Sequence, residues 1–173
     1  EYAPALGAVL LTAGRVHEAE AVWRKAREAN PTSADARTNL AQFDYSQGNF
    51  AQAETDARTA VEIDERAISP RLLLVQIYLA TGRHPSAEKE AAKLTADFPD
   101  EPDGYQALAR VYLATGEQER AAEEYRKIIA AKPSDIAARL QFGDLLLQLN
   151  RSQEANSLAG EMLKAKARDP RIL

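Results

Sequence analysis

The sequence of 173 residues has no cysteine and only two histidines, and it contains eight glycines and eight prolines. The absence of cysteine excludes disulfides and thiolate metal sites. No apolar run approaches the length of a transmembrane helix, so membrane insertion within this segment is not expected. The formal net charge of -4 gives no electrostatic reason to expect nucleic acid or an anionic membrane as a partner.

The sequence also offers little material for catalysis. His17 and His84 fall in different parts of the chain, and each is expected to be a solvated surface histidine near the start of a helix. There is no HExxH spacing for zinc and no glycine-rich phosphate loop. Acidic clusters such as Glu123-Glu124 are interpreted as exposed helix charge. We therefore expect no catalytic residue, no cofactor and no metal, and predict that the chain is not an enzyme.

An internal repeat of 34 residues organises the chain. The segment Tyr78-Leu79-Ala80-Thr81-Gly82 recurs identically as Tyr112-Leu113-Ala114-Thr115-Gly116. The same shift aligns turn residues, invariant small residues and a larger apolar residue along the whole chain without an insertion or deletion. These columns are Gly14, Gly48, Gly82, Gly116 and Asn150; Ala19, Ala53, Ala87, Ala121 and Ala155; and Leu6, Leu40, Leu74, Leu108 and Phe142.

Each column has a physical reason. Glycine or asparagine tolerates the left-handed conformation that ends a helix, so the first column predicts a turn within each repeat. The alanine column predicts a close approach of two helices, and the Leu/Phe column predicts a buried residue on the first helix. Strand signals are absent. The predicted helices are 2–13, 17–30, 34–46, 51–65, 70–80, 85–97, 102–114, 118–131, 136–149 and 153–166.

The period predicts one domain over 1–173, composed of five repeats and the start of a truncated sixth at 170–173. Because the chain opens at Glu1 inside the pattern, we interpret it as a segment of a longer protein. The last helix should then expose part of its apolar face, and end-to-end self-association is a hypothesis that follows. The predicted repeat bounds are 1–33, 34–67, 68–101, 102–135 and 136–169.

The repeat resembles that of the tetratricopeptide repeat (TPR) family. The fourth repeat carries the family pattern most fully, with Tyr105, Leu108, Ala109, Tyr112, Gly116, Ala121, Tyr125, Ile128 and Pro133. The first matches with Leu6, Gly7, Gly14, Ala19, Trp23, Ala26 and Pro31. The resemblance implies an all-α fold, a right-handed α-solenoid of stacked helix–turn–helix repeats. The abundance of alanine and the excess of arginine over lysine hint at a bacterial multi-repeat fragment.

Some positions depart from the family pattern. An arginine stands where the family often has an aromatic residue, and an alanine where a larger residue is usual. These departures leave the fold assignment intact and suggest a thinner, alanine-packed core in the second, third and fifth repeats. The arginines are Arg37, Arg71 and Arg139, and the alanines are Ala57, Ala91 and Ala159.

The family resemblance implies a function, because in TPR proteins the first helices of successive repeats line a concave groove that usually takes the ligand. We therefore predict a non-catalytic protein–protein interaction scaffold that binds a peptide or helix of a partner. Leucines flanked by amides suit an amphipathic helix or an extended peptide. The predicted groove residues are Gln42, Tyr45, Leu72, Gln76, Leu79, Arg110, Leu113 and Asp144.

Other interpretations stay open. The groove leucines could equally pack between neighbouring first helices, because packing is periodic too. A clamp for a terminal carboxylate is disfavoured, since the matching positions hold residues such as Thr38, Gln42 and Leu73 without cationic neighbours. The array could also be an architectural spacer of a bacterial envelope or secretion protein, or the recruiting arm of an attached enzyme. The sequence does not decide between bacterial cytoplasm and periplasm or envelope.

Overall fold

The computed structural model describes residues 3–167, and every regular element in this range is an α-helix. The predicted helix bounds differ from the observed ones by at most two residues at either end. The predicted all-α fold is therefore confirmed for the described range. The helices are α1 (Ala3–Thr12), α2 (Val16–Ala29), α3 (Ala34–Ser46), α4 (Phe50–Ile63), α5 (Ile68–Ala80), α6 (His84–Asp97), α7 (Pro102–Thr115), α8 (Gln118–Ala131), α9 (Ile136–Gln148) and α10 (Ser152–Ala167).

The chain divides into two compact units, an N-terminal unit that ends at Ala91 and a C-terminal unit that begins at Ala92. In the N-terminal unit α1 packs against α2, α3 against α4, and the second helix of one repeat against the first helix of the next. The same pairing recurs in the C-terminal unit, where α7 contacts α8, α8 contacts α9, and α9 contacts α10. Each unit is thus a series of antiparallel helix pairs.

The turn inside each repeat has the left-handed residue that the sequence predicts. The backbone amide that follows this residue reaches back to the helix it terminates; Arg15 N, for example, donates to Leu10 O at 2.8 Å. A positive φ strains any residue with a Cβ except asparagine and a few others, so the column is restricted to glycine and asparagine. The φ values are 74° at Gly14, 79° at Gly48, 71° at Gly82, 81° at Gly116 and 59° at Asn150.

The alanine column is buried in every repeat. Four of its members have no exposed surface, and Ala155 in the last repeat is 9% exposed. A larger side chain at these positions would force the paired helices apart. The prediction that small residues allow close helix packing is therefore confirmed. The four fully buried members are Ala19, Ala53, Ala87 and Ala121.

The Leu/Phe column is buried in four repeats but not in the first. Leu40 has no exposed surface and Phe142 is 6% exposed, whereas Leu6 is 49% exposed. The prediction of a buried residue is wrong for Leu6. Leu40, Leu74 and Phe142 lie on helices that pack against the second helix of the preceding repeat. No such helix precedes α1 within the described range.

The arginines that stand in place of the family's aromatic residue make the same hydrogen bond to the loop that the aromatic residue makes in the fourth repeat. Tyr105 Oη donates to the carbonyl of Pro99 at 3.0 Å, six residues earlier in the loop between repeats. Arg139 Nε donates to Pro133 O at 2.9 Å from the equivalent position. In the other two repeats, Arg37 donates to Pro31 O at 3.1 Å and Arg71 donates to Glu65 O at 2.5 Å. Side chains of different shape therefore donate to the equivalent loop carbonyl in each of these repeats.

A buried carboxylate joins three helices of the N-terminal unit. Asp56 on α4 is 1% exposed, and it accepts hydrogen bonds from Arg27 of α2 at 3.1 Å and from Arg37 of α3 at 3.0 Å. Gln52, one turn earlier on α4, adds a third at 2.9 Å. A buried charge is tolerated when it is paired and hydrogen-bonded in this way.

Of the alanines that replace larger residues, Ala57 and Ala91 have no exposed surface, as a thin core requires. Ala159, by contrast, is exposed. The predicted alanine-packed core therefore does not extend to this position of the fifth repeat, because no described helix covers that side of α10.

Candidate partner-binding faces

In the N-terminal unit, the predicted groove residues lie on α3 and α5, two first helices that contact each other. Gln42 is exposed, and Tyr45 is half-buried with its ring 5.6 Å from that of Phe50, at the start of α4. The remaining three are half-buried, so each offers part of its surface to a partner while the rest packs within the unit. These residues of α5 are Leu72, Gln76 and Leu79.

In the C-terminal unit, the predicted residues lie on α7 and α9 and are exposed. Leu113 is 38% exposed, and Arg110 and Asp144 carry charges in contact with solvent. Within the described residues Arg110 and Asp144 do not form an ion pair. Arg110 lies close to the side chain of Tyr125. Burial raises the pKa of the Tyr125 phenol, and the positive charge of Arg110 offsets part of that rise.

Two leucines outside the predicted set expose more surface than its apolar members. Leu140 is 56% exposed and Leu147 is 55% exposed, both on α9. Leu147 belongs to the same repeat column as Leu79 and Leu113, so the sequence contained the signal for its position. Its degree of exposure depends on which helices cover α9, and the sequence does not state that.

The positions that would form a carboxylate clamp present no cationic donor. Thr38 Oγ1 donates to Ala34 O at 2.8 Å, and Asn39 Nδ2 donates to Asp35 O at 2.8 Å, both within α3. Leu73 and Ala107 are buried. A partner's terminal carboxylate would meet no cation at these residues.

The two histidines have different surroundings. His17 is exposed, as expected. His84 is half-buried at the start of α6, and its Nδ1 is buried without a hydrogen-bond partner in the described part of the chain, so the prediction of a fully solvated side chain is wrong for it. Among the described residues, no three His, Cys, Asp or Glu side chains come together as a metal site.

Of the helices in the described range, none combines the length and the apolar character that crossing a bilayer requires. The longest, α10, has 16 residues, and its exposed face carries charged side chains such as Glu154 and Glu161.

Sequence-family comparison agrees with the architecture. A tetratricopeptide repeat model matches residues 10–55 and 45–111, together more than half of the chain. A model for subunit 3 of the anaphase-promoting complex, or cyclosome, matches residues 81–162. The chain belongs to the tetratricopeptide repeat family, whose members typically serve as protein-interaction scaffolds.

Several solved structures with the same fold are of bacterial proteins. A structure of Pseudomonas aeruginosa PilF has a TM-score of 0.76 at 22% identity, covering 90% of this chain and 71% of its own. MamA from Desulfovibrio magneticus has a TM-score of 0.73 at 13% identity, covering 96% and 95%. A thermophilic TPR protein of Thermus thermophilus has a TM-score of 0.74 at 21% identity, covering 96% and 91%. Among curated protein sequences, none matches the chain closely enough to count as a relative.

Proposed function

We propose that this chain is a non-catalytic scaffold that binds a peptide or a helix of a partner protein on the faces formed by its first helices. The observation that carries the proposal is the character of these faces. Leu72 and Leu79 on α5 are half-buried, and Leu113 on α7 is 38% exposed, so part of each apolar side chain is available to a partner. Exposed leucines of this kind can bury the apolar side of a helix or peptide.

The polar residues beside these leucines support a peptide as the ligand. Gln42 and Gln76 carry uncharged amides that can donate to and accept from a peptide main chain. Neither side chain has a hydrogen-bond partner among the described residues. Because the helices are already ordered by their own packing, a partner gains affinity without the cost of ordering the scaffold.

The test is capture of interacting proteins from a bacterial lysate, followed by mapping with single substitutions. Leu79→Glu and Leu113→Glu place a charge on the proposed face, and Ala80→Glu and Ala114→Glu place the same charge on neighbouring exposed positions. We expect the leucine variants to reduce capture of a specific partner by about tenfold or more, since each buries a charge in the complex. Equal capture by all four variants, with unchanged circular dichroism, would argue against these faces.

Contact between copies of the chain is a second proposal, favoured by the exposed apolar residues at the outermost described helices. Val9 on α1 is 62% exposed and Leu163 on α10 is 69% exposed. Sedimentation velocity over a hundredfold concentration range tests it: we expect concentration-dependent association that Leu163→Glu abolishes. A monomer at every concentration removes this second proposal and does not affect the scaffold function.

A further inference from the structure

A small pocket lies in the N-terminal unit where α1, α2 and α3 meet. Its volume is about 240 Å³. A protein cavity of roughly 150 Å³ holds a benzene molecule, so this pocket has room for one large apolar side chain. None of the residues that line it is charged: they are Ala8, Leu11, Trp23, Asn39, Gln42, Phe43 and Ser46.

The aromatic wall of the pocket is held in place by close packing. Trp23 is 5% exposed, and its ring centroid lies 5.5 Å from that of Phe43 with the planes tilted by 49°. On the other side the indole lies directly against Gly7 of α1, where a Cβ would fall 2.2 Å from Cε2. The wall is therefore formed before any ligand binds.

The polar groups at this site are incompletely satisfied. Asn39 uses its amide nitrogen within α3, but its Oδ1 accepts no hydrogen bond among the described residues. Gln42 is exposed and also has no such partner. The indole Nε1 of Trp23 is buried and has no acceptor in the described range. Because the indole N–H is enclosed against Gly7, the polar groups that a ligand can reach are the amides of Asn39 and Gln42.

The equivalent position of the C-terminal unit is arranged differently. Tyr125 occupies the place of Trp23 three repeats later, and its hydroxyl lies within hydrogen-bond distance of Gln141 Oε1, at 3.3 Å. Gln141 in turn corresponds to Asn39. At the rim, charged Arg110 and Asp144 replace Ala8 and Gln42. The site beside Trp23 thus differs from its equivalent in the C-terminal unit by its uncharged rim and by an aromatic N–H without an acceptor.

We infer that this pocket receives one large uncharged side chain, aliphatic or aromatic, from an extended segment of the partner protein. The amides of Asn39 and Gln42 lie at its mouth and are suited to hydrogen-bond the main chain on either side of that side chain. A charged side chain would lose its hydration without gaining a counter-ion, which excludes it as the occupant. This inference rests on the proposed scaffold function and specifies the residue type that anchors the partner.

The only tryptophan of the chain makes the pocket directly observable, because it gives a single indole N–H signal in a ¹H–¹⁵N NMR spectrum. N-acetyl-L-leucinamide and N-acetyl-L-phenylalaninamide serve as probes, and the N-acetyl amides of lysine and glutamate as charged controls. We expect a saturable shift of the indole signal with the uncharged probes, with a dissociation constant on the order of 1 mM for ligands of this size. We expect none with the charged ones. An equal response to all four probes would overturn the inference.

A pair of matched variants shows where the probe binds. Ala8→Leu fills the mouth of the pocket, and Ala21→Leu adds the same side chain at an exposed position of α2 that does not line it. We expect Ala8→Leu to weaken binding of the leucine probe by about tenfold or more, and Ala21→Leu to leave it unchanged. Undiminished binding to a folded Ala8→Leu variant would show that the probe sits elsewhere.

The same variants separate this inference from the scaffold function. If the probes bind the pocket but no partner protein is captured, the inferred pocket stands and the proposed function fails. If a captured partner depends on Leu79 and Leu113 but binds Ala8→Leu normally, the function stands and the inferred anchor is wrong.

Discussion

Replacing Gly7 with alanine should destabilise this protein, although the same replacement within a helix ordinarily stabilises it. Gly7 lies in the middle of α1, where alanine is favoured over glycine by about 0.5–1 kcal/mol. A Cβ at this position would fall 2.2 Å from Cε2, 2.4 Å from Nε1 and 2.6 Å from Cζ2 of Trp23. Carbon atoms in ordinary contact are about 3.5–4.0 Å apart, so the indole has to move by more than 1 Å.

The indole has little space to move into, because it is 5% exposed and packs on Phe43. Overpacking of this kind typically costs about 1–3 kcal/mol. After the gain in helix propensity is subtracted, we expect a net loss of ~1–2 kcal/mol in the free energy of unfolding. For a chain of this size that corresponds to a decrease in Tm of roughly 3–6 °C.

Two other helical glycines supply matched controls. A Cβ at Gly160 in α10 would meet no atom within 4 Å, and one at Gly143 in α9 would meet only Leu158 Cδ2 at 3.9 Å, an ordinary contact. Alanine should therefore raise the free energy of unfolding by about 0.5–1 kcal/mol at Gly160 and leave it unchanged or slightly raised at Gly143.

Urea titrations followed by circular dichroism measure all three variants, and the emission of the single tryptophan reports the local environment of Trp23. Gly7→Ala should shift that emission to longer wavelength in the native state, whereas the two control variants should not. If Gly7→Ala is as stable as Gly160→Ala and its emission is unchanged, then the indole does not lie against α1 as described.

Three further predictions concern polar side chains, two of them buried. Asp56→Ala should lower the free energy of unfolding by about 2–3 kcal/mol in urea titrations, since it leaves the partly buried Arg27 and Arg37 without the carboxylate that they share; a loss below about 1 kcal/mol would contradict the pairing. Asp44→Asn should stabilise the protein at pH 7, because burial raises the pKa of Asp44 and ionisation above that pKa costs stability. The gain should shrink as the pH falls from the raised pKa of Asp44 to the ordinary pKa of an aspartate, which Tm measured against pH would show. Tyr105→Phe should cost about 1 kcal/mol through loss of the hydrogen bond to Pro99 O, and a neutral effect in the same titrations would mean that water replaces it.

The repeat pattern predicts the secondary structure closely, and its errors concern which side chains a neighbouring helix buries. Leu6 and Leu40 occupy the same column, yet one is 49% exposed and the other has no exposed surface. The difference arises because α2 covers α3, while no described helix covers the equivalent side of α1. Residue identity and spacing do not include that information.

The arginine column shows a different limit. The sequence identifies Arg139 as a departure from the family's aromatic residue, but it does not predict the hydrogen bond from Arg139 to the carbonyl of Pro133. The signal was present in the sequence, since Tyr105 and the arginines share a side-chain donor at the end of a long side chain. Predicting this hydrogen bond also requires the path of the loop that carries the acceptor, six residues earlier in the chain.

The helices, their turns and the close pairing of helices within each repeat follow from the amino-acid sequence without reference to the tertiary structure. These features follow from local properties: the left-handed conformation open to Gly14 and its equivalents, and the absence of a large side chain at Ala19 and its equivalents. Which side chains a partner can reach depends on the packing of helices that are distant in sequence. The pocket beside Trp23 and the exposure of Leu147 both follow from which neighbouring helix packs over them.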